Sequence, residues 1–263
     1  MTPKFYDITV IGLVASYALV LPVWLIVRAN CLGLGRDLGI SILRMTVQLL
    51  AIGFVLKYLF AVEIWYVSTG VFAGMVFFAS RTVLARTGID FKGLTSILTL
   101  AMLAGAGLVS VFICLAVVQV EPWYAPRYFI PLAGMVLGNS MSGCALALER
   151  FYSGVKDQRK LVETHLSHGA NGAEATREIL RSAFRASLIP TLSSMSGIGL
   201  VFIPGMMTGQ ILGGVEPLDA IRYQMVIMMA IVVSVAVSSF TILFLERGRF
   251  FDEYQNLREE IFS

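Results

Sequence analysis

The sequence predicts an all-α fold: a polytopic membrane protein of about seven transmembrane helices, with a cytoplasmic helical hairpin between spans five and six. Composition is the first of three observations behind this reading. Hydrophobic residues fill 57% of the 263 positions, charged residues 14%, and the mean hydropathy is +0.80. An ordinary soluble domain carries roughly 25% charged residues, so this chain lacks the charge to cover a water-facing surface. The second observation is a series of apolar stretches near the length of about 20 residues that a bilayer crossing needs. The third is that basic residues crowd into alternate loops.

The candidate spans are 8–27, 38–60, 64–80, 94–119, 128–148, 188–212 and 223–245. The third is short, and Pro204-Gly205 interrupts the sixth. No soluble domain separates them, so 1–263 reads as one transmembrane domain. Lys4 is the single basic residue ahead of the first apolar run, which lacks a cleavage-type end and therefore reads as a retained span.

Orientation follows from the charges. Arg28 and Arg36 fall in loop one, and Arg81, Arg86 and Lys92 in loop three. Loop five holds Arg150, Lys156, Arg159, Lys160, Arg177, Arg181 and Arg185, and the tail holds Arg247, Arg249 and Arg258. The opposite side has only Lys4, Lys57, Arg127 and Arg222, a ratio of 15 to 4 with Arg44 left inside a span. The N-terminus is accordingly expected outside and the C-terminus in the cytoplasm. Trp65, Trp123 and Tyr124 then mark the outer interface as an aromatic belt. A net charge of +3, patterned in this way, gives no footprint for nucleic acid.

Residues 149–187 form the one sizeable polar segment. Span five is expected to continue as a helix to about His168 and stop at Gly169. Asn171 and Glu174 have the spacing of a capping box, and the second arm is expected to run to about Leu188 and stop before Pro190. Ile179, Ala183 and Phe184 share one face of that arm, while Arg177, Arg181 and Arg185 stack on another. Arms of this length would hold the elbow roughly 25–30 Å from the membrane at 1.5 Å per residue. A few residues would suffice merely to connect two spans, so the elbow reads as a docking element for a partner. His165 and His168, three residues apart, read as C-terminal caps rather than metal ligands, since no Cys or carboxylate stands beside them at ligand spacing. Cys31, Cys114 and Cys144 form no CxxC pair and read as buried small hydrophobes.

Within the membrane, Arg44 and Gln48 share a face of span two. Arg44 either lines a pathway and braces helices, or snorkels to the cytoplasmic end. Span five carries Gly134 and Gly138 at GxxxG spacing, followed by Asn139, Ser140 and Ser142. Gly205, Gly209 and Gly213 recur every four residues in span six, a period that lets helices approach closely. Pro204 should break that helix, and Met206, Met207, Thr208 and Gln210 would project around the break. Broken helices near the midplane are where transporters expose polar groups to their cargo. Asn139, Ser140, Met206, Met207, Thr208 and Gln210, with Arg44 and Gln48, are the expected substrate path.

The sequence has no GxxxxGK[ST] loop for ATP, no HExxH or GxSxG motif, and no pair of mid-span carboxylates for a proton relay. Glu63 and Glu121 fall at outer helix ends, Glu149 and Glu246 at inner ones. This favours a non-enzymatic transport subunit driven by a separate ATPase. A stand-alone secondary carrier or channel, and a membrane scaffold that recruits a cytosolic protein, are the competing readings.

The stretches Pro131–Ser142, Gly169–Pro190 and Ile203–Gly214, followed by Ala220-Ile-Arg-Tyr-Gln224, resemble the Fet-type permease family. These are membrane subunits of a bacterial ABC system implicated in iron export, with plant relatives linked to aluminium tolerance. The likeness covers nearly the whole chain. It implies residence in the bacterial inner membrane, pairing with a separate subunit that binds ATP, and a complex of two copies of each. It also implies iron as cargo. The projecting hairpin and the missing ATP loop place the coupling at the elbow residues Gly169, Ala170, Asn171, Gly172 and Glu174; no cofactor is expected in this chain. The metal ligands remain unknown. The intramembrane candidates are thioethers, amides and hydroxyls, and thioethers suit Cu(I) better than ferrous iron. Iron would therefore travel as a complex, or the methionines serve packing alone.

Overall fold

The computed structural model describes residues 9–31, 33–60, 64–88, 93–252 and 256–258. Lys4, Glu63 and Lys92, used above to read orientation and helix ends, lie outside them. Helix dominates the described residues, and two isolated bridges are the only extended pairings among them. The chain divides into two compact units, 1–62 with 212–214, and 63–211 with 215–263.

In the first unit, α1 (Val10–Ala18) and α2 (Leu21–Ala29) form one apolar stretch with a turn between them. Pro22 causes the turn, because it donates no backbone hydrogen bond and its ring clashes with the carbonyl four residues earlier. Helix α3 (Gly35–Leu59) follows, and the Tyr17 and Thr46 hydroxyls are hydrogen-bonded at 2.7 Å. Cys31 lies in the turn between α2 and α3 and is exposed, contrary to expectation, while Cys114 and Cys144 are buried.

The second unit is built on α4 (Trp65–Thr87), a long helix through Leu94–Val117, α7 (Pro126–Asp157) and α12 (Pro217–Glu246). Leu94–Val117 contains α5 (Leu94–Met102) and α6 (Leu108–Phe112), joined by the π-helical segments Leu103–Gly107 and Ile113–Val117. Helix α4 buries Ser68, Phe72, Val76, Ala79 and Val83, one face at helical spacing, with Phe72 edge-on to Phe129 of α7.

Helix α12 is gripped from two sides by glycine. A Cβ on Gly105, in the first π segment, would fall on Ser238 Oγ and lie 2.7 Å from the Ser234 carbonyl. A Cβ on Gly143 of α7 would lie 2.6 Å from Val235 Cγ1 and 3.2 Å from Ser239 Oγ. The Ser140 and Ser234 hydroxyls bridge α7 and α12. Ser234, Ser238 and Ser239 are fully buried, so small side chains meet missing ones along the contact.

Among the described residues six helical stretches, not seven, are long and apolar enough to cross a bilayer: the α1–α2 stretch, α3, α4, Leu94–Val117, α7, and α12 with its 3₁₀ extension Arg247–Phe250. The expected span 188–212 is split. Helix α10 (Arg177–Gly197) ends at Gly197, and α11 (Gly205–Leu212) begins after Pro204. The break lies upstream of Pro204, over 198–204, where Gly199 takes φ +82° and its N–H donates to the Phe202 carbonyl at 3.0 Å. Glycine fits that backbone because it has no Cβ to clash. Conversely, α10 does not stop before Pro190 but carries that proline in its interior. Its residues on either side pack against α7 and α12, and Ser187 Oγ donates to the Phe184 carbonyl at 2.7 Å. Neighbouring helices and hydroxyls make an interior proline tolerable in a membrane helix.

Glycine spacing and glycine packing therefore differ in the membrane. A methyl at Gly105 has no room, whereas a Cβ added at Gly205 or Gly209 would meet nothing within 4 Å, so neither provides the close helix approach expected of it. Gly105→Ala should lower the unfolding free energy by about 1–3 kcal/mol through overpacking. Gly209→Ala should be neutral or stabilise by up to about 1 kcal/mol through helix propensity. Thermal unfolding of the detergent-solubilised protein measures both, and a larger loss at Gly209 would contradict the packing described.

Candidate functional site

Two cavities flank the break between α10 and α11. The first, about 420 Å³, is lined by α7, α10, the 198–204 break, the start of α11, and α12. Its polar lining is Asn139, Ser142, Ser187, Thr191, Ser194 and Gln224, and its methionines are Met135, Met206 and Met228. The second, about 440 Å³, is lined by Met195, Met207, Met225, Met228 and Met229, together with Gln224 and apolar residues around the break. Ile198, Pro204, Gln224 and Met228 line both. Neither lining contains an ionisable side chain.

Helix geometry distributes these groups. Met206 and Met207 are neighbours at the start of α11, and one faces each cavity. Met225, Met228 and Met229 share a face of α12 through i, i+3 and i, i+4 spacing. Gln224 is 7% exposed, and its side chain makes no hydrogen bond to the described residues. Thr191 is likewise buried with a hydroxyl unbonded by the described residues. Their polar atoms open onto the first cavity instead of bonding to the described residues, so both are candidate cargo contacts.

The expected substrate residues divide. Asn139 and Met206 line the first cavity and Met207 the second. Asn139 Nδ2 donates to the Met135 carbonyl at 2.8 Å. Ser140 points instead into the α7–α12 contact. Thr208 Oγ1 turns back to the Pro204 carbonyl at 3.1 Å, capping the first turn of α11. Gln210 lines neither cavity, and its Oε1 is buried without a hydrogen-bond partner among the described residues. Arg44 and Gln48 are exposed on α3 in the other unit. Of the packing residues, Pro204 and Gly205 line the first cavity, and Gly209 and Gly213 are exposed. Sequence reasoning left Gln224, Thr191 and Met228 out of the site. Gln224 closes the motif Ala220-Ile-Arg-Tyr-Gln224, and its isolation as an amide in an apolar helix was the available signal.

The hairpin is more broken, and more anchored, than expected. Its first arm does not run straight to His168; α7 ends at Asp157, and α8 (Arg159–Ser167) follows a turn at Gln158. His168 Nδ1 donates to the Thr164 carbonyl at 2.7 Å, so it acts as a cap. Gly169 adopts φ +90°, and the capping box forms as expected. Glu174 N–H donates to Asn171 Oδ1, and Asn171 N–H donates to Glu174 Oε2, both at 2.9 Å, opening α9 (Gly172–Ala175). Ala170 and the exposed Asn171 and Glu174 complete the elbow.

Gly172 is buried, because Phe251 lies across it: an added Cβ would lie 2.5 Å from the ring. Phe250 and Phe251 join Phe151, Val155, Val162, Ala175, Ile179, Ala183 and Leu243 in one apolar cluster. At its edge Glu246 is fully buried, accepts from the Tyr152 hydroxyl at 3.3 Å, and pairs with Arg249 at 3.5 Å. The elbow is thus clamped to the C-terminal end of α12.

These features define the class: an all-α, polytopic membrane protein with two half-open cavities at a broken helix. The chain belongs to the uncharacterised protein family UPF0014, whose model matches residues 10–251. It is 35% identical to the UPF0014 membrane protein slr1647 of Synechocystis, over 81% of this chain and 83% of that one. It is 35% identical to the Arabidopsis thaliana protein ALUMINUM SENSITIVE 3, over 95% and 90% of the two chains. It is 30% identical to the Escherichia coli protein named "Probable iron export permease protein FetB", over 96% of each. No solved structure matches.

The clamp yields a double-mutant test. Gly172→Ala should destabilise by about 1–3 kcal/mol, because the methyl displaces the Phe251 ring. In a Phe251→Ala background the same change should cost almost nothing, giving a positive coupling in thermal unfolding. Equal costs in both backgrounds would refute the contact.

Proposed function

We propose that this chain is the permease subunit of an ATP-driven exporter whose motor is a separate ATP-binding subunit, and that its cargo is a metal ion or metal complex. The observation that carries the reading is the pair of cavities at the α10–α11 break, lined wholly by groups that hold no charge and no titratable proton. A proton-coupled carrier needs a titrating group on its path, and these linings offer none. The name of the FetB relative points to iron. A bare, hydrated ferrous ion would lose its water here with no carboxylate or imidazole to replace it, so iron would pass as a complex.

The elbow Gly169–Glu174 is the docking point for the ATP-binding subunit, and two copies of each subunit form the complex. The hairpin, with its exposed Arg177, Arg181 and Arg185, faces the cytoplasm of a bacterial inner membrane, an orientation that the charge distribution supports. Motion at the elbow reaches the cavities along α10, which joins the two directly, and along α12, whose far end holds Phe251 against Gly172.

Reconstitution in liposomes tests this. Metal efflux should require both subunits and ATP, and gradient-driven flux by this chain alone would favour the secondary-carrier reading instead. In the complete system, Gln224→Leu and Met207→Ala should each cut transport by about tenfold or more, the cost of roughly 1.4 kcal/mol in recognition, with membrane insertion unchanged. Normal flux in both would return these residues to packing. Orientation has a separate test through the exposed Cys31. A membrane-impermeant maleimide should label it in inside-out vesicles and spare it in intact spheroplasts; the reverse pattern would invert the topology.

A further inference from the structure

We propose that the second cavity is a thioether site selective for a soft monovalent cation, Cu(I) or Ag(I). Five methionines from three elements converge on it: Met195 of α10, Met207 of α11, and Met225, Met228 and Met229 of α12. Methionine is the usual filler of irregular apolar gaps, but these side chains line a half-open cavity of about 440 Å³ and leave it unfilled, with Met225 and Met229 more than half exposed. The one amide in the lining, Gln224, is buried and unbonded by the described residues. With no anionic group in the lining, hard cations gain nothing there to offset lost hydration, whereas polarisable sulfur suits d¹⁰ monovalent metals. Because a thioether carries no titratable proton, metal held there does not compete with protons.

This inference rests on the reading of the cavities as the cargo path, yet binding can be measured on the isolated chain without ATP. The probe is silver nitrate in chloride-free buffer, added to the full chain prepared with selenomethionine and purified in detergent. Silver-edge X-ray absorption then separates Ag–Se scattering, from methionine, from Ag–S scattering at the three cysteines.

An Ag–Se shell is expected, equal at pH 5 and pH 7. It should be lost in Met207→Leu/Met228→Leu and retained in Met45→Leu on α3. Silver affinity of the methionine site should fall by about tenfold or more in the double variant, as loss of metal-site groups commonly gives. Leucine keeps the volume, so folding is preserved, and each single replacement should weaken the shell if the double variant is poorly produced. Ag–S scattering alone, or an Ag–Se shell unchanged in these variants, overturns the proposal. Either result leaves the ATP-driven permease reading intact, since that stands or falls on two-subunit flux.

Discussion

The close approach of α12 to its two neighbours is the constraint on which the second unit depends. Gly105 and Gly143 meet the buried Ser234, Val235, Ser238 and Ser239 on adjacent faces of α12, with no room for a methyl at either glycine. Lipid supplies no hydrophobic drive for one apolar helix to prefer another, so contact of this kind, with the Ser140–Ser234 hydrogen bond, is what holds such helices together. The π segment that carries Gly105 belongs to the same arrangement, because it sets that residue against Ser238.

Once α12 is fixed, its two ends acquire different tasks. One presents Gln224 and the methionines to the cavities; the other carries Glu246, Phe250 and Phe251 into the apolar cluster beneath the hairpin. At 30 residues the helix spans about 45 Å. Helix α10 joins the same two places by a shorter route, from the elbow to the break at 198–204. Two helices therefore share a clamp at one end and a cavity wall at the other.

The chemistry of the cavities complements this mechanical frame. Their linings can be crossed without titration, since amides, hydroxyls and thioethers keep their charge state. What they can recognise is shape, hydrogen-bonding capacity and softness. The buried carboxylate of the second unit, Glu246, lies in the hairpin cluster and is held by Tyr152 and Arg249 rather than facing either cavity.

Local rules were sufficient wherever the determinant was local. Apolar length marked all six long helical stretches to within a few residues except where α4, α7 and α12 extend further, the Asn171–Glu174 spacing marked the capping box, and the Ile179–Ala183 face was buried as expected. Pro204 announced a broken helix. Tertiary contact decided the rest. Helix α10 continues through Pro190 because Ser187 and Thr191 on either side of it are buried where the helix packs on α7 and α12, and the break moves to 198–204, where glycine can take a positive φ. The glycines that matter for packing are Gly105, Gly143, Gly154 and Gly172, not Gly205 and Gly209 of the periodic series. A period states only which residues share a face; whether another helix comes close to that face depends on residues more than ninety positions away, such as Ser234, Val235 and Ser238. Gln224 and the methionines likewise become a site only because α10, α11 and α12 meet around the break.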